Sequence, residues 1–213
     1  MARPKTNHEG KKQQIVEAAL QTFARHGYEG TTNKLIAHEA GGISPGLIYH
    51  YFPEGKTQLF QAVLQQFPPL QTLAGVVQKS QELPPAQFLQ NVAGTYAELL
   101  QQESVMNLVR IMMVEAPHQP ELAQVLLAQV VPTLVLPLVA YIQKQTALGN
   151  FKSLPPMAGP LLLFGPLLGR AMITGVIGDK PAPIPIVSAE DMLKIVVQTF
   201  LYGVWQPQPE AEK

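Results

Sequence analysis

The sequence predicts an all-α protein. Apolar residues recur at three- and four-residue spacing along most of the 213-residue chain, and strand-like alternation never extends beyond a few residues. Proline- and glycine-rich joints cut the apolar runs into helix-length pieces. The pieces group as a three-helix N-terminal unit over residues 1–55, a larger helical domain over 56–206, and a polar tail over 207–213 that reads as disordered.

The first helix is predicted from Lys11, with Ile15, Ala19 and Phe23 stacked on one stripe, and it should stop near RHGYEG, where Gly27 can cap it. Thr31 or Thr32 supplies an N-cap hydroxyl for a second helix, NKLIAHEA, closed by Gly41 and Gly42. The third begins with Ser44 as cap and Pro45 at the first helical position, where a missing N–H costs nothing, and Ile43 and Ile48 have the spacing of a hydrophobic staple. After Pro53 a fourth helix runs from about Lys56 to Pro68 and Pro69 or beyond, with Leu59, Phe60, Val63, Leu64 and Phe67 on its apolar side.

Further helices are predicted over roughly 86–101, 104–116, 120–146, 157–178 and 188–205, with Pro132 and Pro137 kinking the longest. The stretches 122–143 and 157–178 are each 22 residues long and carry no charge and one charge, Arg170, so membrane insertion is a rival reading. Prolines 132, 137, 160 and 166 and the lack of an aromatic belt or basic cluster weigh against it, and helices buried on several sides in a dimer would be equally poor in charge. The glycines of GPLLG, Gly165 and Gly169, would let another helix come close. The start, MARPKTNHEGKKQQ, lacks the apolar core of a secretory signal, so a cytoplasmic location is expected.

The composition excludes several chemistries. With no cysteine there is no disulfide framework, thiolate zinc site or thiol nucleophile. Glu115, His118 and Glu121 in EAPHQPE have the elements of a metal site, yet they sit at a proline-marked joint without a second histidine. No nucleophile elbow, phosphate loop or dinucleotide fingerprint occurs, so neither catalysis nor a cofactor is expected. Net charge is zero, but residues 1–60 hold seven Lys/Arg against five Glu and four of the five histidines. A mildly basic third joined to an apolar, mildly acidic remainder fits a polyanion-facing module beside a core-forming one.

The run GGISPGLIYHYFPEGK carries the most specific signal. At 100° per residue Ile48 and Phe52 fall together, with Pro45 beside them, and face the core. Gly46, Leu47 and His50 centre on the opposite face, with Tyr49 and Tyr51 on its flanks. A small first turn with hydroxyl-bearing rings at its edges suits a helix lowered into a DNA major groove, although the same aromatics also read as core of a helical bundle. A short helix, a glycine turn and a second helix make a helix-turn-helix, whose second helix reads the groove. Lys56, near a helix start, is placed to meet a phosphate, and the basic arm with Arg3, Lys5, Lys11 and Lys12 could follow the backbone or simply be solvated.

The segment from Ile15 to Phe60, about a fifth of the chain, resembles the DNA-binding domain of the tetracycline-repressor (TetR) family of bacterial transcription regulators. The resemblance lies in the A…F…GY…TT…IA…G spine and in G-x-x-Y-x-Y-F leading to a lysine before Leu-Phe. It implies an all-helical homodimer that binds a palindromic double-stranded DNA operator, dimerises through its last two long helices and holds a small ligand in its C-terminal domain. Carried over by motif, Lys34 matches a DNA-contacting position. Ser44, Pro45, Gly46, Leu47 and His50 match groove-facing positions, and Tyr49, Tyr51 and Lys56 match phosphate-facing ones. AGGIS and FPEGK are each one residue longer than the family's usual spacing, which bears on the angle of the reading helix and on the role of Lys56.

A ligand site in the C-terminal domain would draw on Phe88, Tyr96, Met106, Met112, Met113, Phe164 and Met172, rings and flexible thioethers suited to an apolar effector, although methionines at helical spacing are also ordinary core. Met157 and Trp205 could join them, and Glu98, Arg110, Glu115 and Arg170 could orient a ligand or pair with one another. The overall expectation is a ligand-responsive repressor without membrane insertion. The alternative is a small-molecule or lipid-binding helical protein with weak or no specific DNA binding.

Overall fold

The computed structural model describes residues 5–178 and 184–203. Eleven α-helices occur among them: α1 (Lys5–His26), α2 (Asn33–Glu39), α3 (Pro45–Tyr51), α4 (Lys56–Gln65), α5 (Pro68–Lys79), α6 (Pro85–Leu99), α7 (Glu103–Arg110), α8 (Pro120–Val130), α9 (Leu136–Ala147), α10 (Ala158–Ile177) and α11 (Ala189–Gly203). A π-helical turn, Ile111–Glu115, follows α7, and a second, Val131–Val135, joins α8 to α9. No strand occurs among the described residues, as the periodicity requires.

Packing divides the chain into two compact units, Met1–Pro68 with Glu103–Val131, and Pro69–Gln102 with Pro132–Lys213. A single cut near residue 55 does not describe this grouping. Leu59, Phe60 and Val63 of α4, together with Ile111, Leu122 and Leu126, belong to one core with Ile15, Ala19, Phe23, Ile36, Ile48 and Phe52 of the first three helices. Phe23 stacks on Tyr28, and Phe60 meets both edge-on at 5.0 and 5.3 Å between ring centroids.

In the second unit Phe88, Leu89, Val92 and Ala93 form the fully buried stripe of α6, which packs against α10 and α11. Phe88 lies parallel to Tyr141 of α9 with centroids 3.5 Å apart, and the Tyr141 hydroxyl donates to the Leu83 carbonyl at 2.7 Å. The burial of that polar tip is thus offset by a hydrogen bond.

Several boundaries differ from the sequence reading. Helix α1 starts at Lys5 rather than Lys11, and α5 occupies a stretch that the proline pair had obscured. Pro68 and Pro69 begin that helix, where proline is tolerated, instead of only ending the previous one. Pro132 lies in the π-helical turn and Pro137 in the first turn of α9, so the expected kink takes the form of a widened turn. Helix α10 runs through Pro166. The expectations for Arg3, Trp205 and the tail at 207–213 lie outside the described residues, as does the side chain of Lys5.

Candidate nucleic-acid interface

The site is assembled from the turn after α2 and the exposed side of α3. Thr32 caps α2, its hydroxyl accepting the Leu35 amide at 3.3 Å, and Lys34 stands exposed on the first turn. Gly41 and Gly42 have φ of +82° and +75°, the left-handed region that side-chain-bearing residues avoid. Their geometry brings the Gly42 and Ile43 amides onto the Ala37 carbonyl, both at 3.0 Å. The second glycine of AGGIS therefore belongs to the turn itself.

Ser44 opens α3, its hydroxyl accepting the Gly46 amide at 3.3 Å, with Pro45 at the first position. Ile48 and Phe52 are buried, and Ile43 packs half-buried against the same core. Ser44, Pro45, Gly46, Tyr49 and His50 are exposed, while Leu47 and Tyr51 are half-buried. Pro45 departs from the helical-wheel reading that set it beside the core: the core contact of α3 begins one turn further on, at Ile48, so the first turn stands clear.

His8 is a neighbour that spacing did not single out. The early start of α1 brings its ring 4.5 Å from Tyr51 and 6.0 Å from His50, between centroids. The enrichment of histidine in the first 60 residues was the only sequence signal for it. Lys12 holds its ammonium 5.7 Å from the Phe52 ring centroid, and Lys11 bonds to Gln14 along α1.

Lys56, expected to face a phosphate, is half-buried and bonded within the chain. Its ammonium donates to the carbonyls of Tyr28 at 2.8 Å and Thr31 at 3.2 Å, and it sits 4.4 Å from the Tyr28 ring centroid. Partial burial lowers its pKa, opposed by the nearby Glu115 and Glu29 carboxylates.

The seven ligand candidates are distributed over both units. Met106, Met112 and Met113 belong to the first, Met113 being exposed, and Phe88, Tyr96, Phe164 and Met172 to the second. Of the latter, Tyr96 and Phe164 pack ring to ring at 4.5 Å, Phe88 is sealed against Tyr141, and Met172 is exposed. Burial raises the Tyr96 pKa to about 12. Arg170 is engaged with the Val187 carbonyl at 2.7 Å. No group of three His, Asp or Glu side chains able to hold a metal occurs among the described residues.

Residues 15–63 match the model of the bacterial regulatory proteins of the tetR family, and residues 87–202, more than half of the chain, match the C-terminal domain of AefR-like transcriptional repressors. The chain belongs to the TetR family of transcriptional regulators. That class is non-enzymatic. Among curated TetR-type relatives, the transcriptional repressor AcnR of Corynebacterium efficiens is 44% identical over 55 residues, 26% of this chain and 28% of the relative. The transcriptional regulator RutR of Escherichia coli K12 is 46% identical over 56 residues, 26% of this chain and 26% of the relative. The matched part thus spans just over a quarter of the curated relatives' length. The solved structure of FadR from Bacillus subtilis in complex with stearoyl-CoA superposes with a TM-score of 0.65 at 16% identity, covering 90% of this chain and 98% of that one, which shows a common fold.

Proposed function

We propose that this TetR-family protein is a cytoplasmic repressor that lays α3 into the major groove of a palindromic operator, binds as a homodimer and releases DNA when a small apolar effector occupies its C-terminal half. The observation that carries the reading is the two-sided character of α3: Ile48 and Phe52 anchor it, and Ser44, Pro45, Gly46, Tyr49 and His50 are left to face base edges and phosphates. Leu47 flanks this face, and Lys34 and Tyr51 border it.

The homodimer has support from α10. Its sequence is strongly apolar, yet only 17% of the helix window is buried within one chain, and Leu161, Ile173 and Val176 are exposed. A second copy placed against α10 and α11 would cover that face without invoking a membrane. The proposal of an apolar effector rests on the methionines of that half and on the stearoyl-CoA complex of the fold relative.

Selection of genomic fragments on the purified protein, followed by titration of the recovered sequence at physiological salt, tests the reading. A TetR-type repressor should select an inverted repeat and bind it with a Kd of about 10⁻⁸ M or tighter. Binding without sequence preference would instead favour a ligand-binding protein whose helix-turn-helix no longer reads DNA.

A further inference from the structure

The turn that links α1 to α2 is gripped from two sides by residues far away in sequence. From α4, the Lys56 ammonium takes the carbonyls of Tyr28 and Thr31. From the end of the π-helical turn, the Glu115 carboxylate takes the amides of the same turn, Tyr28 at 3.2 Å and Glu29 at 2.6 Å. Donors are thus met by an acid and acceptors by a base, and the two opposite charges lie close enough to act on one another. Two further bonds close the turn: the Thr31 hydroxyl donates to the Gly27 carbonyl at 2.6 Å, and the Tyr28 and Thr57 hydroxyls meet at 2.9 Å.

The surroundings are shaped for this grip. Gly27 has φ of +71°, which disfavours any residue with a Cβ, and a Cβ there would lie 2.5 Å from a Glu115 carboxylate oxygen, so the acid would have to shift to make room. The π-helical turn Ile111–Glu115 supplies the aim, because one residue more or less in a helix rotates everything beyond it by about 100°. In a regular α-helical register Glu115 would point elsewhere.

We propose that Glu115 and Lys56 form a clasp that fixes the α1–α2 turn and thereby sets the position of α2 and α3, and that Lys56 is a positioning residue and not a phosphate contact. The inference rests on the reading of α3 as the DNA-binding helix. It also assigns a role to the π-helical turn, which carries one half of the clasp.

The full-length protein and its selected operator fragment provide the test. Lys56→Ala should weaken operator binding by about tenfold while the slope of log K against log salt stays as in the wild type, since no phosphate contact is lost, and Lys56→Arg should restore most of the affinity. Glu115→Gln, which keeps the volume but removes the charge, should weaken binding to a similar degree and speed hydrogen exchange at the Tyr28 and Glu29 amides. The losses in the double variant should be smaller than the product of the single ones. A slope reduced by about 1 in Lys56→Ala would make it a phosphate contact and overturn the assignment. Unchanged exchange at Tyr28 and Glu29 in Glu115→Gln would remove the clasp. If the wild type selects no DNA sequence, the reading of α3 fails, while the exchange measurement still decides whether the clasp exists.

Discussion

Ile48 and Tyr49 are consecutive residues of α3 with opposite environments: Ile48 is 0% exposed and Tyr49 57% exposed. Their contrast separates two kinds of variant. Phe52→Ala, on the Ile48 side and 2% exposed, should lower stability by about 3–5 kcal/mol as a core truncation. Chemical denaturation measures this directly, and a loss below about 1 kcal/mol would mean that the α3 core contact is mis-assigned.

Tyr49→Phe, on the other side, should leave the denaturation midpoint unchanged within about 0.5 kcal/mol and weaken binding to all operator sequences alike, because a hydroxyl on the groove wall addresses phosphate. His50→Ala should instead change which bases are preferred. Comparison of binding profiles across a randomised operator distinguishes the two, and an unaltered profile for His50→Ala would place that residue outside the groove.

Deleting Gly42 should damage the turn before α3, because its amide and that of Ile43 share the Ala37 carbonyl. Gly42→Ala should cost about 1 kcal/mol or more, since φ of +75° is unfavourable for any residue with a Cβ. A melting curve identical to the wild type would show that the turn can adopt another conformation.

Val176 is 85% exposed within one chain and Ile173 54%. If α10 lies at the seam between copies, Val176→Glu combined with Ile173→Lys should convert a dimer into monomers without unfolding the helices. Light scattering and circular dichroism together provide the measurement. A variant that remains dimeric would move the seam away from this face.

Burial pushes the phenols of Tyr96 and Tyr141 up to about 12. For an acid whose neutral form is favoured in the fold, the unfolded chain loses its proton first as pH rises past 10, so stability should be unaffected below pH 10 and should fall between about 10 and 12. An alkaline titration followed by tyrosinate absorbance should therefore show part of the signal appearing together with unfolding. A single smooth transition centred near 10 would mean that these phenols are accessible to water.

Local signals made the reading unit legible. A cap and proline at Ser44 and Pro45, a staple from Ile43 to Ile48, and the pairing of Ile48 with Phe52 act within one or two turns, so the chain itself carries them, and the structure follows them closely. Pro68 and Pro69 misled because proline has the same local effect at the end of one helix as at the start of the next.

Lys56 and Glu115 lay beyond that reach. The sequence places a lysine near a helix start and a glutamate at a proline joint, and both positions are compatible with solvent or a ligand. Only the tertiary structure brings both to residues 28–31, Glu115 from the end of a π-helical turn and Lys56 from the start of α4. The sequence by itself determined the all-helical class and the two-sided α3 through short-range periodicity and capping, and its motif spine carried the resemblance to the family. Tertiary packing decided which charged side chains bond to the α1–α2 turn, since long-range contacts, unlike helical periodicity, leave no regular spacing in the chain.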